Sequence, residues 1–440
     1  MKLFIKTFGC QSNEYDSFRI YDFLKRFFKC NLVFTIKEAN VVFINICTVR
    51  EKVEKKSFDF IKKLYYFKIR RKNDLVIICS GCLSSKDLIK KYVDLIIFSR
   101  YFYMLPYLLI KCIKNKNYLF EVNFYVEKFD QKNKVGDFFL TYYPKYSFFK
   151  SSVCVPISDG CNNNCSYCAV PYSRGFEVCR DSRNIIMDVK YYVENNIQEV
   201  VLLGHNVNSY LDKNLIPFHS LLYEVMYIKN LKRVSFLTAN PKDFSFELVN
   251  LYNEISNLSN HLHLPLQSGS NYILERMKRG YTVEQYRDII VNLKKRRPTM
   301  LFTTDLMVGF PGETMADFLQ TLSCVKEFSF DSSFCFIYSP RLNTTAEIYS
   351  DNVEFSIKLR RLRILQQVLV KTVQRNTSFI INTRRIILVY GLIMGSVYWG
   401  KTDCNRTTLF ESSKNYENGV FVEVFILSNI NNTLLAKLIM

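Results

Sequence analysis

No stretch of this sequence approaches the roughly 18 to 20 apolar residues that a membrane-spanning helix needs. The longest candidate, Ile386 to Trp399, falls short and is broken by Gly391 and Gly395. A membrane protein is therefore not expected. The opening Met1-Lys2-Leu3-Phe4-Ile5-Lys6 has too short an apolar part for a secretory signal and runs into a strand-like pattern, so the reading is cytoplasmic. Acidic residues are the minority: 40 Asp and Glu stand against 60 Lys and Arg, a formal charge of +20. That excess attracts polyanions before any specific contact forms, which makes nucleic acid the first partner to consider. The same wealth of Lys, with Asn, Ile, Phe and Tyr, also follows from a strongly AT-biased genome. Cysteine is too sparse, at fourteen in 440 residues, to staple so long a chain by disulfides, yet unusual for an ordinary cytosolic enzyme. Its spacing has to decide its use.

The length suits two or three domains. Residues 2 to about 100 alternate apolar strands (Lys2 to Phe8, Val41 to Ile46, Leu75 to Cys79, Leu95 to Phe98) with amphipathic helices. Asn13 is placed to cap a first helix carrying Tyr15, Phe18, Phe23 and Phe27, and Arg50 to Tyr66 reads as a second. Cys10, Cys47 and Cys82 then lie at or just past the carboxyl ends of three strands. In a parallel sheet those ends share one edge, where ligands bind, so three thiols far apart in sequence are predicted to converge.

The rhythm fades from about 103 to 150, and residues 119–146 read as a connector. It resumes with six strand candidates: Val153 to Ile157, Glu199 to Leu203, Arg233 to Leu237, His261 to Leu266, Leu301 to Val308 and Ser333 to Tyr338. Helical patterns such as Ser182 to Asn195, Asn271 to Lys278, Val283 to Lys295 and Thr314 to Phe328 separate them. Six βα units are too few for a closed eight-stranded barrel and suit an open, partial one with its site at the strands' carboxyl ends. After about residue 378, runs at Arg384 to Tyr390, Ser396 to Trp399, Thr407 to Glu411 and Gly419 to Leu427 predict a small all-β, OB-like barrel, a class that often holds RNA. The expected fold is α/β: a parallel N-terminal domain over 1–118, a partial (β/α)6 barrel over 147–377 and an all-β barrel over 378–440.

Cys161, Cys165 and Cys168 stand in a C-x3-C-x2-C run on one loop. Structural zinc wants four closed ligands, commonly as paired C-x2-C sites, and only Cys179 follows nearby. Three thiolates fit a 4Fe-4S cluster with one iron left open to a small molecule; a zinc site or an incidental loop cluster is the alternative. The eight single cysteines (Cys30, Cys79, Cys112, Cys154, Cys179, Cys324, Cys335, Cys404) read mostly as buried small hydrophobes.

The C-x3-C-x2-C run, with Tyr167 before its last Cys, resembles the radical S-adenosylmethionine (SAM) signature. The Cys10, Cys47 and Cys82 set resembles the N-terminal cluster domain of the methylthiotransferases. The resemblance is carried by Gly9-Cys10-Gln11-Ser12-Asn13, Asn45-Ile46-Cys47-Thr48-Val49-Arg50-Glu51, Ser80-Gly81-Cys82 and Asp159-Gly160-Cys161. It continues through Val170-Pro171-Tyr172-Ser173-Arg174-Gly175, Leu203-Gly204-His205-Asn206, Pro265-Leu266-Gln267-Ser268-Gly269 and Gly309-Phe310-Pro311-Gly312-Glu313-Thr314. These run in the family's order over residues 3 to about 375. Gln11 points to its tRNA branch, the MiaB-like synthases, rather than to the branches acting on a ribosomal protein or threonylcarbamoyl-adenosine. The Tyr398-Trp399-Gly400-Lys401-Thr402 region resembles a degenerate TRAM domain, an RNA-binding barrel.

The resemblance implies two 4Fe-4S clusters and SAM. SAM would chelate the open iron of the Cys161/Cys165/Cys168 cluster and be cleaved to a 5'-deoxyadenosyl radical. The radical would abstract hydrogen from C2 of isopentenyl-adenosine at position 37 of tRNA, and the Cys10/Cys47/Cys82 cluster would deliver methylated sulfur there. An electron donor such as flavodoxin or ferredoxin and a sulfur carrier are implied partners, and a monomer is expected. A non-catalytic iron–sulfur protein that binds RNA or senses redox state is the reading from another class.

Asn13, Glu14 and Asp16 follow Cys10 at a helix start and are candidates to face the substrate adenine. Gly204, Asn206, Gln267 and Ser268 lie at strand carboxyl ends, where a cofactor would sit, and Tyr167 is a further cofactor candidate. Gly309 to Gly312 lacks the Gly-Lys-Ser/Thr ending of a phosphate loop and reads as a structural turn. His261 and His263 share a strand face and read as packing residues. Arg174, Arg180 and Arg183 are candidates to grip tRNA phosphates. His205 stands where the family usually has Gln, and Asn343-Thr344-Thr345 where Gly-Thr-Pro is usual; both departures bear on substrate affinity more than on cluster chemistry.

Overall fold

The computed structural model describes residues 1–47, 51–71, 74–82, 86–114, 120–121, 151–254 and 256–439. The expected connector therefore lies outside the described residues, apart from a two-residue strand at its start.

The N-terminal sheet has six strands: β1 (Lys2–Thr7), β2 (Asn31–Leu32), β3 (Val41–Cys47), β4 (Val76–Cys82), β5 (Leu95–Ile96) and β6 (Phe120–Glu121). All pair in parallel, in the order β2-β1-β3-β4-β5-β6. Every residue of β3, Val-Val-Phe-Ile-Asn-Ile-Cys, is buried, as a central strand covered on both faces requires. The strand order reverses between β1 and β3, the kind of switch point where a crevice opens at the carboxyl ends. The helix Gln11–Phe27 follows β1, and Glu51–Arg70 follows β3 after residues 48–50, which are not described. Two expectations need correction. Cys10, not Asn13, occupies the cap of the first helix, and β4 runs on to Cys82, so that cysteine ends the strand itself.

The central region starts with β7 (Ser152–Pro156), β8 (Ser158–Asp159) and β9 (Val178–Cys179), then β10 (Glu199–Leu203), β11 (Arg233–Phe236), β12 (His261–His263), β13 (Leu301–Val308) and β14 (Ser332–Ile337). Strands β7, β10 and β11 form one parallel triplet and β12, β13 and β14 another. A parallel bridge between Val234 and Leu258 links them, so six strands stand in consecutive order as an open barrel. Strand β12 is shorter than predicted because Pro265 has no N–H to give the ladder; pairing returns only at the Gln267–Leu306 bridge. Beyond the sequence reading, a 24-residue helix, Phe355–Ser378, packs on β14 and the helix Met315–Phe328. It buries Leu365 and Leu369 in the barrel core.

The C-terminal barrel is closed, in the order β15-β16-β17-β19-β18, by β15 (Arg384–Met394), β16 (Val397–Thr402), β17 (Thr407–Glu411), β18 (Phe421–Ile430) and β19 (Thr433–Leu438). The fifth strand, absent from the prediction, pairs in parallel with β17 and closes the ring. Buried ion pairs hold this barrel to the core: Arg406 grips Asp331 with two nitrogens, and Arg233 spans Glu199 (2.5 Å) and the Thr402 carbonyl (2.8 Å). No described helix is long and apolar enough to cross a membrane.

Candidate active site

The carboxyl edge of the N-terminal sheet brings Cys10, Cys47 and Cys82 together. Cys47 and Cys82 are register partners on β3 and β4, and Cys10 begins the helix leaving β1. Glycine makes the approach possible. A Cβ on Gly9, at φ +136°, would lie 2.7 Å from the Cys47 Cβ, and one on Gly81, at φ +109°, would lie 2.1 Å from the Ile46 carbonyl oxygen. Asn13 is fully buried and locks the arrangement. Its amide donates to Asn45 Oδ1 (2.7 Å) and the Ile46 carbonyl (3.0 Å), while Asn45 donates to the Asn13 carbonyl (2.8 Å). The Cys10 thiol donates to Asn13 Oδ1 at 3.3 Å. Asn13 thus builds the cysteine site from within the protein. Glu14 is exposed, and Asp16 is buried in an ion pair with Arg174 at 2.8 Å.

Cys161, Cys165 and Cys168 lie on the loop between β8 and the short helix Val170–Arg174. Ser166 fastens its middle to the end of the helix Asn271–Arg276, through its N–H to the Met277 carbonyl (3.0 Å) and its hydroxyl to the Arg276 carbonyl (2.9 Å). Burial pushes the Cys168 thiol up to about 12, with the Cys165 thiol beside it adding to the effect; burial also raises Cys161, against a backbone N–H from Asn163. Arg279, itself buried, donates to the Cys165 sulfur at 3.2 Å. Tyr167 meets Phe310 edge-on, with ring centroids 6.5 Å apart. Among the described residues no group of three or more His, Cys, Asp or Glu converges on a single metal ion. A multi-iron cluster asks for a wider placement, because each thiolate takes its own iron.

The donor chemistry fits such clusters. A neutral thiol is a weak acceptor, whereas a cluster thiolate is anionic and welcomes a cation. Each triad has a buried arginine at one of its sulfurs: Arg279 at Cys165, and Arg174, whose charge partners are Asp16, Cys82 and Asp159. Sequence reasoning missed Arg279; its signal was Arg279-Gly280 after a short helix, too common to single out.

Beside the loop triad, at the barrel's carboxyl edge, Asn206 is buried; its amide donates to Asp243 Oδ2 at 2.6 Å, while no group of the protein donates to its own Oδ1. Gly204 packs so tightly that a Cβ would meet Ser158 Oγ at 2.6 Å. Gln267 adopts φ +69° and bridges to β13 through its backbone. Ser268 is fully enclosed and faces Thr321 and the Ser270 N–H. Glu177, also missed, accepts from Ser209 (2.9 Å), and burial raises its carboxyl. It closely follows the Arg174-Gly175 pair that sequence reading did single out.

The arginines need the clearest correction. Arg174 and Arg180 are both buried, the first against Asp16 and the second against Asp188 at 2.6 Å, so neither is a surface grip for phosphate; Arg183 alone of the three is exposed. Five of the eight single cysteines are buried, whereas Cys154, Cys179 and Cys335 are half-buried. His261 and His263 both share a hydrogen bond with Thr303 Oγ1 at 3.0 Å, a packing role. Gly309 to Gly312 forms a turn, closed by the Gly309 N–H on Glu313.

Residues 155–325 match the model of the radical SAM superfamily, and residues 2–97 match that described as uncharacterized protein family UPF0004. The first span holds the loop triad and the second the strand-end triad. A tRNA-2-methylthio-N(6)-dimethylallyladenosine synthase of Vesicomyosocius okutanii is 35% identical, over 100% of this chain and 99% of that one. The chain belongs to this synthase family. Its relative of the same name from Nitrosomonas eutropha is 36% identical over 98% of each chain. Among solved structures, the radical SAM methyltransferase TsrM of Kitasatospora setae shares the fold at TM-score 0.57 and 13% identity, over 79% of this chain and 75% of that one. As a radical SAM member, this synthase-family chain uses a 4Fe-4S cluster and SAM.

Proposed function

We propose that the chain adds a methylthio group to C2 of N6-isopentenyladenosine at position 37 of tRNA. The observation that carries this reading is the pair of three-cysteine sets at neighbouring carboxyl edges, in a chain matching its synthase relatives from end to end. Cys161, Cys165 and Cys168 would hold one 4Fe-4S cluster, and Cys10, Cys47 and Cys82 a second. When bound, the first with SAM supplies the 5'-deoxyadenosyl radical, and the second carries the sulfur. An unactivated aromatic C–H bond is beyond acid and base side chains, so the protein's share is positioning.

That share is distributed over named groups. Arg279 stabilises the anionic sulfur of Cys165, and the barrel-anchored Ser166 keeps the loop's shape. Asn206, with its Oδ1 free of protein donors, and Gln267 lie where SAM would be read at the strand ends. Gly204 lets the backbone come close there, and Tyr167 backs the last cysteine. Glu14, exposed on the first turn beside Cys10, would be the residue of its group to meet the adenine, with Asn13 and Asp16 holding the site.

The work divides among residues 1–118, 147–377 and 378–440, with the closed C-terminal barrel and the +20 surface gathering tRNA in the cytoplasm. A flavodoxin or ferredoxin would supply electrons to this monomer and a sulfur carrier would renew the second cluster. The test is an anaerobic reaction of reconstituted protein, SAM, reductant and isopentenylated tRNA, read by mass spectrometry. Both 5'-deoxyadenosine and the 2-methylthio nucleoside are expected. Deoxyadenosine without methylthiolated tRNA moves the substrate to threonylcarbamoyl-adenosine or a ribosomal protein. Neither product, at full iron and sulfide, favours an RNA-binding or redox-sensing protein.

A further inference from the structure

Arg174 touches both halves of the site. It lies six residues after Cys168, and its Nη1 pairs with Asp16 at 2.8 Å, on the helix that Cys10 caps. The same nitrogen reaches Asp159 at 3.5 Å, two residues before Cys161. Its third charge partner is the Cys82 sulfur. The side chain is 3% exposed, and besides the two carboxylates its guanidinium donates to the Cys82 sulfur. A neutral thiol is a weak acceptor for a buried guanidinium, so an anionic sulfur at that point satisfies it better. Cluster sulfur beside Cys82 is an acceptor of the right charge.

We propose that Arg174 is a positioning residue that donates to the sulfur of the N-terminal cluster at Cys82, while Asp16 and Asp159 fix that cluster relative to the radical SAM loop. The inference rests on the two-cluster reading above. One rigid cation then does two things. It offsets negative charge on the sulfur-carrying cluster, and it sets the spacing between the place where a substrate radical forms and the place from which sulfur is delivered. A planar fork held by two carboxylates has a fixed direction, which a lysine in its place would not keep.

The test isolates the N-terminal cluster in the full chain by replacing the loop ligands (Cys161→Ala, Cys165→Ala, Cys168→Ala). Iron and sulfide are then counted and the reduction midpoint is followed by EPR, with Arg174 intact and in Arg174→Lys and Arg174→Gln. Removing the cation makes reduction at least tenfold less favourable in Arg174→Gln, about 59 mV for one electron, and Arg174→Lys recovers part of it. An unchanged midpoint in both variants at full iron overturns the inference. If Arg174→Gln fails to load, Arg174→Lys decides the potential. Failure of both to load, with the melting temperature of the apo chain unchanged, supports the positioning role; failure with a lowered melting temperature assigns Arg174 to the fold alone and overturns it. No iron in the parent with Arg174 intact would remove the two-cluster reading itself, and this inference with it.

Discussion

Cys161, Cys165 and Cys168 come from one eight-residue loop, whereas Cys10, Cys47 and Cys82 come from two strand ends and a helix start, up to 72 residues apart in the chain. The loop triad is local: its geometry depends on the loop's own turns and on anchors such as Ser166 to the barrel. The strand-end triad exists only when the sheet is in register, because a slip between β3 and β4 would separate Cys47 from Cys82. Local sites can be kept by a short motif. Non-local ones have to be kept by packing, which is why β3 and β4 are buried nearly throughout and Asn13 and Asn45 exchange hydrogen bonds beneath the cysteines.

The strongest way to break the comparison is to delete one triad at a time. Cys168→Ala is expected to abolish both 5'-deoxyadenosine and product, whereas Cys82→Ala abolishes the methylthio nucleoside and leaves deoxyadenosine forming. If both variants lose both products, the two sets do not divide the chemistry as proposed. Supports come next in size. Asn13→Ala leaves the buried Asn45 Oδ1 and the Ile46 carbonyl without the amide that donates to them and is expected to cost about 2 kcal/mol, with iron lost from the strand-end site first. Arg279→Met removes the donor to Cys165 and is expected to spare the strand-end site while weakening iron retention at the loop. Thermal melts and iron counts in chains carrying one intact triad separate the two.

The same contrast explains what could be read in the sequence. The C-x3-C-x2-C spacing is a property of the chain itself, so the loop triad was legible at once. The strand-end triad became legible through the alternation of strands and helices, since parallel strands bring their carboxyl ends to one edge. Side-chain direction was not legible. Arg174, Arg180 and Arg183 look alike in a row, yet the fold buries two against Asp16 and Asp188 and leaves one exposed. Asn13 suggested a cap because its residue type favours one, but its amide is used across the sheet edge instead. The helix Phe355–Ser378 and the strand Thr433–Leu438 carry no motif, and their places come from tertiary packing.

Acid sharpens the comparison differently, by loading the barrel under the loop triad without replacing any ligand. Burial, with help from His263 and Lys401, holds His261 down to about 3. An ordinary imidazole takes its proton near 6.5, so the unfolded chain binds that proton first as pH falls. The stability His261 contributes is therefore present above about pH 6.5 and is lost on the way down toward 3, by at most about 1.4 kcal/mol per pH unit. His261→Gln keeps a polar partner for Thr303 and is expected to flatten the difference in melting temperature between pH 6 and pH 4. Equal slopes for parent and variant would show that another group governs the acid limit of the barrel.

The smallest expected effect belongs to Arg183, and it tests whether the exposed arginine differs in kind from its buried neighbours. Exposed on the first turn of the helix Ser182–Glu194, it pays no burial cost, so Arg183→Glu should leave the melting temperature nearly unchanged. Its influence should appear only against a polyanion. An arginine that no longer neutralises its phosphate lowers the slope of log affinity against log salt by about 1, so tRNA binding should weaken several-fold in low salt and converge with the parent as salt rises. Arg180→Glu reverses a charge beside Asp188 within the fold, and its damage should be to stability at every salt concentration. A salt-independent loss of binding for Arg183→Glu would place Arg183 with the structural arginines, and the tRNA path would then have to be sought on another face.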